Sequence, residues 1–459
     1  MLLVEPPKPY WPLLKDTVMP PIGLACLAAY LRENGIEVSI LDCPASGLSW
    51  NDLKHRLGQD QPDVVGVSAI ACHFEIALRA VRLAKEVLPD VFTVAGGAHF
   101  TFSADETLLS CPELDLVVIG EGEVTLFELV RELGKEHPDL SRVNGLAFRR
   151  GSSVVRTPPR GLISNIDELP LPAWDLLPMD KYRLAVLGDR VTMTVSSRGC
   201  SIGCTFCSEA AFWGNAWRPR SARKVVDEMQ LLKDKYGKSI VWFGDDTFNL
   251  NRQRNLQFCQ ELEERGLDMK WSFEGRADLI LRDRDLLDRM VDAGLHWVLV
   301  GVEFASDDEL ERHRKKLSID QIRGAFHVLK KRDIVTQAMF VIGTRGETRQ
   351  SVIEKVEFAK SLDPDFAIFS PLTPFPGTAI WEEAKRNGWL ETTDFSKYDF
   401  AHGVMSTGSL SAAEVSELMS ECYARFYARP LKILRGVLSP NEFRRGLSTY
   451  FLSFFKFGT

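Results

Sequence analysis

The chain has 459 residues, 45% hydrophobic and 26% charged, which is the mix of an ordinary globular protein. Its length suggests about three domains and leaves ample chain for a core. A formal net charge of −7 gives no electrostatic reason to expect a nucleic-acid backbone as partner.

The N-terminus, "MLLVEPPKPYW", lacks a basic region followed by a long apolar run, so no signal peptide is expected. No stretch is apolar for long enough to span a bilayer. A cytoplasmic location follows, where the nine cysteines act as thiols or metal ligands rather than as a disulfide framework. "PPIGLACLAAYLRENG" opens on Pro20 and Pro21 and stops at Gly35, which is helix punctuation at both ends. The runs 64–68, 91–97 and 116–123 read as buried strands ending in glycine or another small residue. Between them Ala77, Ala80, Val81, Ala84 and Leu88 recur at helical spacing. This rhythm predicts a doubly wound, flavodoxin-like parallel sheet over 1–150. Ligands of such sheets bind beyond the carboxyl ends of the strands, here marked by Ser68, Gly96, Gly97, His99 and the turn Gly120-Glu121-Gly122-Glu123.

Proline is dense over 156–178 without a sustained period, so 151–185 reads as a linker. A second α/β series follows over 186–390, with strands expected at 191–196, 239–243, 270–274, 296–302, 335–341 and 366–370. Six β/α pairs predict an open, partial barrel with its chemistry at the C-terminal ends of the strands.

The loop after the first of these strands reads "SSRGCSIGCTFCSE" and carries Cys200, Cys204 and Cys207. A structural zinc site wants four ligands, and no His or Cys lies between Cys207 and Cys259. A redox pair of Cys204 and Cys207 leaves Cys200 unexplained. A cluster held by three thiolates, with one iron left for another ligand, accounts for all three.

This CxxxCxxC motif, with Phe206 before its last cysteine and a partial barrel around it, resembles the radical S-adenosylmethionine (SAM) superfamily. The resemblance implies a 4Fe–4S cluster on the three cysteines, with the amino and carboxylate groups of SAM on the open iron. One electron then yields methionine and a 5′-deoxyadenosyl radical. "VWFGDDTFN" puts Gly244, Asp245 and Asp246 where the family binds the SAM amino group. Arg276 in "GRAD", and Glu303 and Ser306 in "VGVEFAS", fall in the region of the family's ribose and carboxylate contacts. "VIGTRGET" (341–348) resembles the glycine-rich adenine-side segment, keeping Gly343, Gly346 and Glu347 but carrying Thr344-Arg345 where the family usually has Leu-Pro.

A doubly wound domain ahead of such a barrel resembles the cobalamin-binding, or class B, radical SAM enzymes, with "PPIGLACLAAYL", "GGAHFT" and "GEGE" as shared landmarks. The resemblance implies cobalamin contacts at Ser68, Gly96, Gly97, His99, Gly120, Glu121 and Gly122, where small residues let the backbone approach a large ring. The DxHxxG motif is absent, and "EPPKPYWPLL" holds no histidine. Cobalamin is therefore expected base-off, without a histidine from that motif on its lower face; His73 and His99 stand as near neighbours or as structural histidines.

Beyond residue 391 the pattern turns helical. The last 35 residues hold seven Arg or Lys against the single acid Glu442. A helical cap on the barrel is the first reading, and peripheral membrane contact for a lipid-like substrate the second. The family resemblance implies a methyltransferase that uses methylcobalamin and the deoxyadenosyl radical to methylate an unactivated carbon or phosphorus centre. It also implies a small-molecule or lipid-like substrate and an external reductant of flavodoxin or ferredoxin type. The alternative is an oxidative cyclase, like the anaerobic magnesium-protoporphyrin IX monomethyl ester cyclase, or a rearrangement enzyme. A tRNA methylthiotransferase would want a second cysteine triad and an RNA-binding tail, neither of which is present, and a cobalamin or SAM sensor would not need the triad.

Overall fold

The computed structural model describes residues 1–8 and 17–456, without the side chains of 451 and 453–456. Most of the histidine-free loop, 9–16, and the side chains at the end of the tail lie outside the described residues. The chain divides into two compact units, Met1–Tyr182 and Arg183–Thr459.

In the first unit a seven-stranded sheet has the order β2-β1-β3-β4-β5-β6-β7. Its strands are β1 (Leu2–Glu5), β2 (Ser39–Asp42), β3 (Val64–Ser68), β4 (Phe92–Gly96), β5 (Leu116–Val118), β6 (Leu146–Arg150) and β7 (Ser153–Arg156). β1 to β5 pair in parallel, while β6 and β7 close the edge antiparallel. The central parallel strands are mostly buried Val, Leu and Ala because helices cover both faces, while the edge strand β2 starts exposed at Ser39. Helix Phe74–Val87 buries Ala77, Ala80, Val81 and Ala84 as the spacing predicts, and ends one residue before Leu88. The proline-rich stretch packs on this same unit: the Ala173 N–H donates to the Ala25 carbonyl, Arg32 pairs with Asp175, and the Tyr182 hydroxyl donates to Asp42.

In the second unit six strands run parallel in the order β15-β14-β13-β12-β11-β8. They are β8 (Val191–Thr194), β11 (Ile240–Phe243), β12 (Lys270–Gly275), β13 (Leu295–Glu303), β14 (Val335–Ile342) and β15 (Phe366–Pro371). The short pair β9 (Ser197–Arg198) and β10 (Arg218–Pro219) forms a separate ribbon. Neighbours in space are neighbours in sequence, so the sheet curls as an open partial barrel. Successive side chains alternate between helix layer and lumen. Phe243, Trp271 and Phe273 point outward into an aromatic cluster with Phe248 and Phe258. Met193, Trp242, Glu274, Glu303, Met339 and Val341 take the other face and remain only half-buried, so the lumen is open.

β15 is an edge strand, and helix Ala412–Tyr427 covers it. The Tyr427 hydroxyl accepts from the Ala367 N–H at 3.1 Å and donates to the Ala367 carbonyl at 3.0 Å, while the Tyr423 hydroxyl accepts from the Phe369 N–H. Backbone groups of an unpaired edge are thereby satisfied. Helices Pro430–Val437 and Glu442–Lys456 complete the C-terminal layer.

Candidate functional site

The three cysteines occupy the loop leaving β8. Gly199 opens it at φ +85°, and an added Cβ would lie 2.1 Å from the Ala216 carbonyl oxygen, so only glycine fits. The Cys200 sulfur is 3.3 Å from Thr247 Oγ1, and the Cys207 N–H donates to the Cys204 carbonyl. All three thiols are half-buried. Burial raises Cys204 and pushes the Cys207 thiol up to about 12, so neither becomes a thiolate without a strong cationic partner. Among the described residues no three His, Cys, Asp or Glu side chains close on a single ion. The donor set fits an iron–sulfur cluster: three soft sulfurs on one loop, with Lys315 acting on Cys204 as a compensating charge. Phe206 roots the loop, edge-on to Phe304 with ring centres 5.7 Å apart.

At the end of β11, Gly244 passes close to Met193, whose sulfur would be 3.1 Å from an added Cβ. Asp245, expected to face an ammonium group, is buried and already committed. Its carboxylate accepts from the Ser196 N–H at 2.9 Å, from the Ser196 hydroxyl at 2.8 Å and from the Ser197 hydroxyl. It holds the start of the cysteine loop. Asp246 is the carboxylate left half-exposed, and burial, then Glu209, Asp245 and Glu274, push its pKa to about 8. An ammonium there would relieve that repulsion.

Two further lumen groups were not singled out in the sequence. Glu274 on β12 is pushed to about 7 by burial and by Asp245 and Glu303, with the Trp242 indole as its hydrogen-bond neighbour. Its signal was an acid at a lumen-facing position of a strand whose residues from Trp271 onward are otherwise buried. Lys315 ion-pairs with Glu303 at 2.9 Å, across a turn where Glu303 itself has φ +66°. An added Cβ on Gly301 would lie 2.7 Å from Glu303 Oε1 and 2.9 Å from Lys315 Nζ, so this glycine makes room for the pair. No local spacing announces Lys315.

The other expected SAM contacts are partly redirected. Arg276 is buried and donates to the carbonyls of Lys315 and Lys316, each at 3.0 Å, and to Asp278; its guanidinium clamps the 315–316 turn rather than standing open. Ser306 caps helix Asp307–Arg312, its hydroxyl accepting from the Glu309 N–H. Gly343 adopts φ +80° and lies so close to Val415 that an added Cβ would be 2.7 Å from its methyl.

In the first unit Ser68, Gly96, Gly97 and Gly120 do gather at the carboxyl ends of β3, β4 and β5. Gly97 has φ +93°, and an added Cβ would meet the Ser68 hydroxyl at 2.6 Å. Nothing lies within 4 Å of an added Cβ at Gly120, and Ile70 beside them is exposed. This open, small-residue and apolar ledge fits a flat corrinoid. His99 does not line it: the ring is buried 4.4 Å from Phe74, and burial lowers its pKa to about 4. His73 is lowered to about 4 in the same way. Glu121 is buried and accepts from the Ile163 N–H at 2.7 Å, and Gly122 backs onto Leu27.

A B12-dependent radical enzyme is the class these features define, and comparison with known proteins agrees. The B12 binding domain family matches residues 16–130 and the Radical SAM superfamily matches 194–359. The chain is 36% identical over 443 residues to an uncharacterised methyltransferase of Pyrococcus horikoshii, covering 96% of this chain and 95% of that one. It is 32% identical to the anaerobic magnesium-protoporphyrin IX monomethyl ester cyclase of Rubrivivax gelatinosus, covering 96% and 79%. The radical SAM methyltransferase TsrM from Kitasatospora setae, solved with cobalamin and a [4Fe-4S] cluster, shares the fold at TM-score 0.72 and 20% identity, over 93% of this chain and 88% of that one. The protein belongs to the cobalamin-binding radical SAM family.

Proposed function

We propose that the protein is a cobalamin-dependent radical SAM methyltransferase acting on an unactivated carbon or phosphorus centre of a small molecule. The observation that carries the reaction type is its similarity, along nearly the whole chain, to a protein named as a methyltransferase. Cys200, Cys204 and Cys207 would hold the cluster, and the ledge at Ser68, Gly97 and Gly120 the corrinoid. When bound, these groups supply the electron that splits SAM and the methyl group that is transferred. The chain's own part is binding and orientation. Asp246 accepts the SAM ammonium, Glu303 and Lys315 offer a fixed charge pair beside it, and the open lumen between Trp242, Glu274 and Met339 receives and orients the substrate. An external one-electron donor of flavodoxin or ferredoxin type completes the system.

Identity to the cyclase at 32% favours a second reading, oxidation without methyl transfer. One experiment separates the two. The anaerobically reconstituted chain is given cobalamin, reductant, methyl-labelled SAM and a cell extract, and 5′-deoxyadenosine and S-adenosylhomocysteine are quantified. Equal rise of both, with label in a new compound, is expected. Deoxyadenosine without S-adenosylhomocysteine would overturn the methyltransferase reading in favour of the cyclase type.

A further inference from the structure

Helix Pro430–Val437 and the residue that ends it turn their apolar side to solvent. Leu431, Leu434 and Leu438 recur at helical spacing on one face and are 71%, 55% and 73% exposed. The opposite side is fastened down. Lys432 Nζ donates to the Pro364 carbonyl at 2.6 Å, to the Asp363 carbonyl at 3.0 Å and to the Asp363 carboxylate. Gly436 presses on helix Glu442–Lys456 so tightly that an added Cβ would lie 1.9 Å from the Ser448 hydroxyl. The helix therefore cannot rotate to bury its leucines. Single exposed leucines are ordinary on a surface, but a stripe of three needs an occupant.

Charge identifies that occupant. Asp363 is shared among Lys330, Arg429 and Lys432, Glu421 between Arg349 and Arg425, and Asp333 and Asp365 both pair with Arg444. Arg435, on the rim of the leucine stripe, and Arg445, whose guanidinium reaches only the carbonyls of Ser439 and Pro440, pair with no carboxylate among the described residues. Apolar side chains flanked by uncompensated cations on a helix lying flat along a surface match the interface of an anionic bilayer, where the acyl boundary takes the leucines and the headgroup phosphates take the arginines. No described helix is long and apolar enough to cross a membrane, so the contact is peripheral.

We propose that the leucine face of Pro430–Val437 docks the protein on an anionic lipid surface, with Leu431, Leu434 and Leu438 inserted and Arg435 and Arg445 on the headgroups. The inference stands apart from the reaction assigned above. Its test is flotation of the full reconstituted chain with vesicles of phosphatidylglycerol and phosphatidylcholine in equal parts, and with phosphatidylcholine alone. Each free arginine contributes roughly fivefold in affinity, so binding to the anionic vesicles should be about thirty-fold tighter and fall at high salt. The variant L431S/L434S/L438S should lose flotation on both vesicles at least about tenfold, with unchanged circular-dichroism melting and iron content. R435Q/R445Q should lose only the anionic preference. Absence of wild-type flotation on anionic vesicles, or undiminished flotation of the triple serine variant, would overturn the proposal. So would light scattering that shows a dimer which the serine variant dissolves, since the face would then belong to a second copy.

Discussion

Replacing Lys355 by Met tests the reasoning about the glycine-rich turn most directly. Lys355 is 1% exposed, and its ammonium donates to Glu347 Oε1 at 2.5 Å, to the Val341 carbonyl at 2.8 Å and to Glu309 Oε1 at 3.2 Å. Glu347, also buried, accepts from the Thr344 N–H at 2.8 Å and so fixes the turn that follows Gly343. Lys355→Met keeps the length of the side chain but leaves the Glu347 carboxylate buried with one neutral donor. Breaking a buried ion pair from one side costs about 3–5 kcal/mol. At about 2 °C per kcal/mol for a unit of this size, the midpoint should fall by about 6–10 °C. Adding Glu347→Gln removes the stranded charge while keeping an acceptor for Thr344, so the double variant should recover at least half of the loss. Urea unfolding followed by tryptophan fluorescence, with calorimetry, measures both. A single variant within about 1 kcal/mol of the parent, or a double variant no better than the single, would refute the argument.

Gly301→Ala drives a methyl group into the Glu303–Lys315 pair and should lower SAM-dependent deoxyadenosine formation by about a hundredfold, measured with the cluster content held equal. Glu274→Gln should shift the pH dependence of stability. The folded carboxyl titrates at about 7 against an ordinary value of 4.5, so the parent keeps its full stability below about pH 4.5 and loses it as pH rises toward 7. The variant should match the parent in acid and exceed it by a few kcal/mol at pH 8; a constant difference across the range would discard the assignment. Tyr427→Phe strips the hydroxyl from Ala367 on the β15 edge and should cost about 1–3 kcal/mol in the same unfolding assay, while Tyr423→Phe, which serves one backbone group, should cost less.

What the sequence disclosed and what it hid divide by range. The triad was legible because its spacing is local and three thiols in one loop admit few chemistries. All six strands of the second unit's parallel sheet were legible because parallel strands buried by helices leave near-continuous apolar runs, whereas the two-residue strands β9 and β10 leave none. The choice between Asp245 and Asp246 was not, since it turns on Ser196 and Ser197 some 49 and 48 residues away along the chain. His99 read as a rim residue because it lies just past Gly96-Gly97 at a strand end, yet as the second residue of helix Ala98–Ser110 it turns its ring inward against Phe74. Arg276 likewise read as a ligand until the 315–316 carbonyls claimed its guanidinium.

The Thr344-Arg345 departure shows how one loop shape is kept by other means. Proline would stiffen the turn by fixing its own φ. Here Gly343 and Gly346 retain φ of +80° and +87°, so the backbone path still demands glycine at both positions. Stiffness comes from the C-terminal segment instead. The Gly346 N–H donates to the Thr407 carbonyl at 2.9 Å, and the Thr407 hydroxyl returns to the Glu347 carbonyl at 2.9 Å. Arg345 lies over the Trp389 ring at 4.4 Å and donates to the Ser406 carbonyl. Gly408 adopts φ +97°, which favours glycine, and brings its backbone close beneath that guanidinium. The residues beyond 391 are therefore more than a cover for the β15 edge. With Trp389 just ahead of them, they hold the turn that the sequence resemblance places beside the adenine of SAM, so damage to Trp389 or Thr407 should register at the cofactor before it registers in the fold.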